Sequence, residues 1–542
     1  MNTETIKKDI INLCKDLGCC NACCLRYSGN KNPTAYENAS EFVSKNLGAS
    51  TENATISTET PLPNNEPETN GSSDVKNGDD GEPVAKKCKI STCVSCLGIL
   101  QESYWTESMD IVKDALEKKR YECKTFACGL SSPISALLRE KAITLKLGDT
   151  FKDYDPKCLT ALKEAWKWSF AAKLAPYVSM TLDSGAVSPL LVTLNMEYPQ
   201  DLQELEILKT LSPRLFESRS KQKRRFTVEF TRRSVEQALE TVTYEALQAA
   251  EGWKGGIPSV ENHAKCVSVV CVHAPAYLGG RYIKLSRELP QTPWLVNGVR
   301  MMETSVQEII FEPIAKLYEM TSEDTEYRMK FMSAGREDVD VRCLGDGRPF
   351  AVEITDPRRE PNKEELDRVC EQISKCGRVV VKNLVPVSRE DLTQLKKGEE
   401  TKCKTYEALC IKLGHSEGDN AMNGDSPITV TEQDLKNINT YRNTPEGDDA
   451  RILIRQKTPI RVLHRRPLLT RLRRIYDLEA SAVPDRPQLV RLRVRTEAGT
   501  YVKEWCHGEL RRSAPALRHA LGAPADILAL DVAAVHLDWP NQ

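Results

Sequence analysis

The chain has 542 residues, room for three or four domains at roughly 100–200 residues each. Apolar residues make up 40% and charged residues 28%, which fits a globular protein with long polar inserts; no apolar run approaches the roughly 18 residues that a membrane helix needs. Net charge is −1, with 76 Lys and Arg against 77 Asp and Glu, so the chain as a whole is not a polycation.

From the N-terminus, Met1 to Asn12 carries Lys7 and Lys8 but no apolar core of signal-peptide length. The expectation is a soluble intracellular protein, in nucleus or cytoplasm, with the mitochondrion left open. The 19 cysteines then read as metal ligands or small buried residues, not disulfides. Residues 44–84 are rich in Asn, Thr, Glu, Ser, Gly and Pro. No aromatic residue occurs between Phe42 and Tyr104, so this stretch reads as a disordered insert.

Further along, Phe226, Val228 and Phe230 alternate with polar residues as a half-buried strand does, and Ser234 to Glu251 reads as a helix. Phe350–Ile354 reads as a strand. Asn362 with Glu365 forms a capping-box start for a helix that carries Leu366, Val369 and Ile373 on one face. Val379–Val381 follows as a strand, and Ser388 with Asp391 marks another helix start. Lys404–Leu413 alternates, with Leu409, Ile411 and Leu413 on one face and Tyr406 and Ala408 on the other. A polar stretch at 415–427 reads as a loop insert. Leu492–Thr496 and Ile527–Val532 are strand-like. Strands and helices in irregular order point to α+β architecture.

Two Cys-x-x-Cys knuckles, Cys20 with Cys23 and Cys93 with Cys96, supply four thiolates, the number a tetrahedral structural zinc takes. The gap between the pairs is long but can loop out at modest entropic cost. Cys19, Cys24 and Cys88 crowd the set, and two unrelated buried cysteine clusters are the alternative. From Arg451 to Arg474 there are nine Lys or Arg and no Asp or Glu, a segregation that suits contact with an RNA backbone. Within that run Leu463 and Leu468 are expected to anchor the segment while the arginines, Arg461, Arg465 and Arg466 among them, face phosphates. The string Gly335-Arg336-Glu337-Asp338-Val339-Asp340-Val341-Arg342 interleaves charge with apolar residues, which sets some of its carboxylates against a core, where a cation partner is needed.

Here a resemblance enters. Arg336-x-Asp338-x-x-Val341 resembles the catalytic motif of pseudouridine synthases. The longer string from Gly335 to Phe350 resembles the archaeal and eukaryotic tRNA pseudouridine synthase family called "Pus ten". So do Gly280-Arg281-Tyr282-x-Lys284-x-Ser286-Arg287, Lys404-x-Tyr406-x-Ala408, Gln456 to Pro467, Ala498 to Glu504 and Asp526 to Asp531. The resemblance covers about Val269 to Trp539; around Leu510–Ala525 it lapses.

The resemblance implies a pseudouridine synthase core, a mixed and largely antiparallel sheet with flanking helices, over 266–542. It implies a zinc-bound, THUMP-like RNA-binding domain over 1–265. The implied reaction makes pseudouridine at positions 54 and/or 55 of the tRNA TΨC arm. Asp338 is the implied nucleophile, Tyr406 the stacking residue and Lys503 the basic partner, with Asp340 structural; Arg336, Arg461, His464, Arg465 and Arg466 would contact RNA. One structural zinc and no organic cofactor are expected, with tRNA, and other structured RNA, as partner to a monomer. A zinc-containing RNA-binding scaffold without chemistry is the competing reading. An RNA methyltransferase or RNA-thiolating enzyme is a third, against which stands the lack of a strand–Gly-x-Gly–helix loop or P-loop.

Overall fold

The computed structural model describes residues 3–47, 91–185, 187–221, 228–401, 403–416, 426–443 and 452–540. Most of the 44–84 insert, Cys88, Phe226, Arg451 and the centre of the 415–427 insert lie outside these residues. No described helix is long and apolar enough to cross a membrane. The chain divides into two units, Met1–Val272 and His273–Gln542.

In the first unit, four strands order as β2-β1-β3-β4: β1 (Thr125–Ser131), β2 (Thr181–Leu182), β3 (Leu190–Glu197) and β4 (Lys265–His273). β1 runs parallel to both neighbours. Helices cover it because their apolar residues recur at helical spacing: Trp105, Met109 and Val112 in Trp105–Lys119, and Ala136, Ile143 and Leu147 in Ser135–Thr150, whose other face, with Leu138 and Ala142, packs on further helices. The helix expected over Ser234 to Glu251 is two, Arg232–Glu240 and Tyr244–Ala249. Thr243 breaks it by turning its hydroxyl onto the Ala246 amide as a fresh N-cap. The expected strand at Phe226–Phe230 is not one over its described part. Val228 is exposed there, and Phe230 packs onto Phe216 in a helical cluster.

The second unit is built on a ten-stranded sheet. Its strands are β5 (Ala276–Lys284), β8 (Met329–Ser333), β9 (Arg342–Ile354), β10 (Val379–Pro386), β11 (Lys404–Lys412), β12 (Ile452–Lys457), β13 (Thr470–Ala482), β14 (Leu489–Thr496), β15 (Ser513–Ala514) and β16 (Ala525–Val535); β6 (Leu295–Val296) and β7 (Val299–Arg300) form a separate hairpin. The order is β10-β5-β9-β16-β11-β14-β13-β12-β15, with β8 also on β9. Every pair is antiparallel except β9 with β16, where Arg342 aligns with Asp531 and Cys343 with Val532.

Each half of this sheet has its own core. On one side Leu278, Phe350, Val352 and Ile354 pack against Ile310, Ile314, Leu366, Val369 and Ile373 of two helices. On the other, Ala408, Cys410, Val490, Leu492 and Val494 pack with Trp505 and Leu517. Both capping signals form: Asn362 and Glu365 exchange side-chain to main-chain bonds, as do Ser388 and Asp391. On β11 the residues facing inward are Lys404, Tyr406, Ala408, Cys410 and Lys412, while Leu409 and Ile411 are half-buried and Leu413 is exposed. Where the resemblance lapses, the chain forms a turn, the short β15 and the helix Leu517–Leu521.

Candidate active site

The loop before β9 lies where β9, β11 and β16 meet, and a cleft of about 200 Å³ opens over it. Gly335, Arg336, Glu337, Asp338 and Val341 line it from this loop, Tyr406 from β11, Arg461, Arg465 and Arg466 from the basic segment, and Gly499 to Lys503 from the turn after β14. Leu530 and Val532 of β16 complete the lining, so five of the sequence strings converge on one cavity.

The loop's floor is polar and buried. Glu337 is buried, ion-paired with Arg348 Nε at 2.7 Å, and accepts a hydrogen bond from the Tyr282 hydroxyl at 2.8 Å. Arg348 is buried too; burial opposes its charge, but Glu337 together with Cys343, Tyr282 and Tyr406 raises its pKa. Gln291 donates to the Tyr282 hydroxyl at 2.8 Å and to the Gly335 carbonyl at 3.1 Å. Gly335 sits at φ +86°, and a Cβ there would meet Lys404 Nζ at 2.7 Å, so only glycine fits the turn. Lys284, with no exposed surface, donates to the carbonyls of Leu289, Asp338 and Val339 at 2.7, 3.0 and 2.8 Å. The last two bonds clamp the main chain at and just after Asp338.

Asp338 itself is half-buried. Arg461 Nη1 donates to its Oδ2 at 2.7 Å, and Lys503 Nζ lies 3.5 Å from the same oxygen. Among the described residues, Oδ1 has no hydrogen-bond partner. Arg461 also donates from Nε to Glu504 Oε1 at 2.7 Å. Burial opposes the Arg461 charge, but Glu504 and Asp338 prevail and raise its pKa. Lys503, the partner expected for Asp338, makes its short contacts to Asp340, 2.7 Å to each carboxylate oxygen. Arg336 is exposed and donates to Thr292 Oγ1 at 2.9 Å, not to Asp338. Burial and the neighbouring Arg465 lower its pKa. Tyr406 is half-buried, and burial pushes its phenol up to about 12, so it is neutral at physiological pH.

In the basic segment Arg465 and Arg466 are exposed at the cleft, while His464 is exposed and not among its lining residues. Leu463 and Leu468 do not anchor the segment: they are 38% and 62% exposed. In the loop from 458 to 469 the buried residues are Thr458, Pro459 and Val462. The Thr458 hydroxyl donates to Pro467 O, and Arg512 donates to Thr458 O at 2.7 Å. The tail that no motif accounted for therefore pins the loop that carries Arg461. Sequence reading also missed Glu504, Glu337, Arg348 and Lys284, all of which lie inside motif strings whose recognised roles fall on other residues.

In the other unit, Cys20, Cys23, Cys93 and Cys96 bring four sulfurs within 4.8 Å of one another, a set that can hold a metal ion. Cys20 caps the helix Asn21–Tyr27, which carries Cys23. The Cys20 and Leu100 amides point at Cys93 and Cys96 sulfurs, at 3.2 and 3.4 Å. Hydrogen bonding to Cys23 holds the Cys20 thiol well above 9.0, while the surrounding thiols, against burial, bring Cys93 well below it. Such thiols compete for protons; a divalent cation among them would let all four ionise.

Fold and cleft together define a class: an α+β protein in which a carboxylate sits among cations in a cleft with an arginine-lined rim. A family model described as "Pus10, C-terminal" matches residues 277–536, and one described as "Eukaryotic Pus10, N-terminal" matches 93–267. The chain belongs to the Pus10 family. The "tRNA pseudouridine synthase Pus10" of Xenopus laevis is 31% identical, over 96% of this chain and 96% of that protein. The Homo sapiens protein of the same name is 32% identical over 85% and 81%, and that of Methanocaldococcus jannaschii 34% identical over 48% and 53%. A solved Cbf5–Nop10–Gar1 complex overlays 46% of this chain at 16% identity with a TM-score of 0.22, too low to bear on the fold.

Proposed function

We propose that this chain is a tRNA pseudouridine synthase that isomerises uridine in the TΨC arm, at position 54, 55 or both, with Asp338 as nucleophile. The observation that carries the reading is the Asp338 carboxylate: two cations gather on Oδ2, and Oδ1 has no partner among the described residues. A carboxylate held this way, with cations on one oxygen, presents the other for attack.

The reaction breaks N1–C1′, turns the uracil and joins C5 to C1′. Oδ1 attacks C1′, or takes the C2′ proton, as the N1–C1′ bond breaks with its electrons going to uracil. After rotation the base re-adds through C5, the carboxylate is restored, and the C5 proton leaves to solvent while N1 gains one. Atoms balance without redox or phosphoryl transfer. Tyr406 gives the base a face to stack on, through a phenol that is neutral at physiological pH. Arg465 and Arg466, together with Arg336, Arg461 and His464, are the proposed RNA contacts, and the uridine must be flipped out of the arm to reach the cleft.

In the N-terminal unit, Cys20, Cys23, Cys93 and Cys96 are the proposed ligands of one structural zinc. Four thiolates leave no position open for catalysis. We assign this unit, THUMP-like in the resemblance, to RNA binding. Pseudouridine mapping on tRNA transcripts incubated with the protein tests the whole reading. New pseudouridine in the TΨC loop is expected. Tight tRNA binding with no pseudouridine anywhere would leave a scaffold.

A further inference from the structure

Glu504 lies on the short helix Val502–His507 with 2% of its surface exposed. Oε1 accepts from Arg461 Nε at 2.7 Å, and Oε2 has no hydrogen-bond partner among the described residues. Arg461 is therefore the charge partner that justifies a carboxylate at this depth. Arg461 itself is 39% exposed and sits on a loop, where a long side chain gains several rotamers if nothing holds it. Two contacts fix its planar fork: Nε on Glu504 and Nη1 on Asp338. The helix carrying Glu504 is itself tied down, because Gln456 exchanges two hydrogen bonds with the Tyr501 main chain, at 2.9 and 3.0 Å.

We infer that Glu504 is a positioning residue for the nucleophile: through Arg461 it sets which oxygen of Asp338 is engaged and which faces the sugar. Lys503, one residue earlier, is drawn off by Asp340 and lies 3.5 Å from Asp338, so it cannot by itself fix the carboxylate. The inference rests on Asp338 as nucleophile but assigns a role that neither the motif nor the cleft lining gave.

The test is single-turnover and steady-state tritium release from C5-labelled TΨC-arm tRNA, with Asp338→Asn, Glu504→Gln, Glu504→Asp, Arg461→Met and the Arg461→Met/Glu504→Gln double variant. Glu504→Gln keeps size and an acceptor but loses the charge. A kcat about 10- to 100-fold lower is expected, the scale on which misplacement of a reacting group is felt. KM for tRNA should stay within about twofold, because the buried carboxylate touches no RNA. Glu504→Asp, charged but short, should fall between Glu504→Gln and wild type. The double variant should be no slower than Arg461→Met alone, since both changes break one chain of contacts. Full additivity, a change confined to KM, or wild-type kcat in folded Glu504→Gln would overturn the inference. Unfolding of both Glu504 variants would overturn it as well, making Glu504 a packing residue. An active Asp338→Asn would instead sink the reading beneath it, whatever Glu504 does.

Discussion

Lys503 Nζ is equidistant from the two carboxylate oxygens of Asp340, at 2.7 Å each, which makes the second acid of the loop the anchor for the lysine. Burial tends to raise the Asp340 pKa, but the lysine wins and holds it below 3.8. Because the folded value is the lower one, this pair's contribution is present above about pH 4 and lost as pH falls through the folded value. The acid is exposed, so the pair is worth only about 0.2–1 kcal/mol. Asp340→Asn is expected to fold with little loss of stability and keep measurable turnover while Lys503 swings closer to Asp338. Thermal unfolding and tritium release on one preparation check both halves.

The four-cysteine set predicts a metal-dependent unit. Purified protein should carry about one zinc per chain. Cys93→Ser should lower metal content and the unfolding temperature together. Metal-free protein with all four native thiols rapidly alkylated would show an ordinary cysteine cluster.

Lys412 and Asp434 form a buried pair at 2.6 Å, with side chains 0% and 1% exposed. Burial would raise the Asp434 pKa, but Lys412, the Ser416 hydroxyl and the Thr431 amide hold it below 3.8. Its stabilisation is therefore complete above that value and disappears as pH drops through the lower folded one. Asp434→Asn leaves the Lys412 ammonium without its carboxylate and should cost about 3–5 kcal/mol at neutral pH. The gap from wild type should narrow in acid, measured by denaturant unfolding between about pH 3 and pH 7.

What could be read from the chain was local. The Asn362–Glu365 and Ser388–Asp391 caps depend on residues three apart, and both form. The knuckles and the Tyr406 strand also depend on short spacings. What escaped is long-range. Arg461 reaches Asp338 across 123 positions, and no local pattern marks it off from the eight other cations in its run. Glu337 and Arg348 are brought together, and both buried, only by tertiary packing. Leu463 and Leu468 looked like anchors because apolar residues usually point inward. Thr458 closes this short loop through its hydroxyl, and the leucines are left outside.

Arg465 and Arg466 are exposed at the cleft and should meet phosphates. Replacing both with Ala is expected to weaken tRNA binding and to make log affinity fall less steeply with log salt. The slope should shrink by about 0.7 to 0.9 for each phosphate that the variant no longer neutralises. Unchanged affinity across a salt series would make the run solvated surface only.

The deciding prediction concerns Asp338. Asp338→Asn keeps the side chain's size and, by its carbonyl oxygen, an acceptor for Arg461 Nη1. The main-chain clamps from Lys284 do not involve the side chain at all. Folding and tRNA affinity should therefore stay close to wild type. Chemistry should not, because an amide oxygen is neither a competent nucleophile at C1′ nor a base for the C2′ proton. No other carboxylate can substitute: Glu337 is buried against Arg348 and Tyr282, and Asp340 is held by Lys503. Tritium release should fall to the uncatalysed background, while filter binding of the same transcript remains. If instead Asp338→Asn turns over and Asp340→Asn does not, the reactive acid is the second of the pair, and the Arg461 contact belongs to structure.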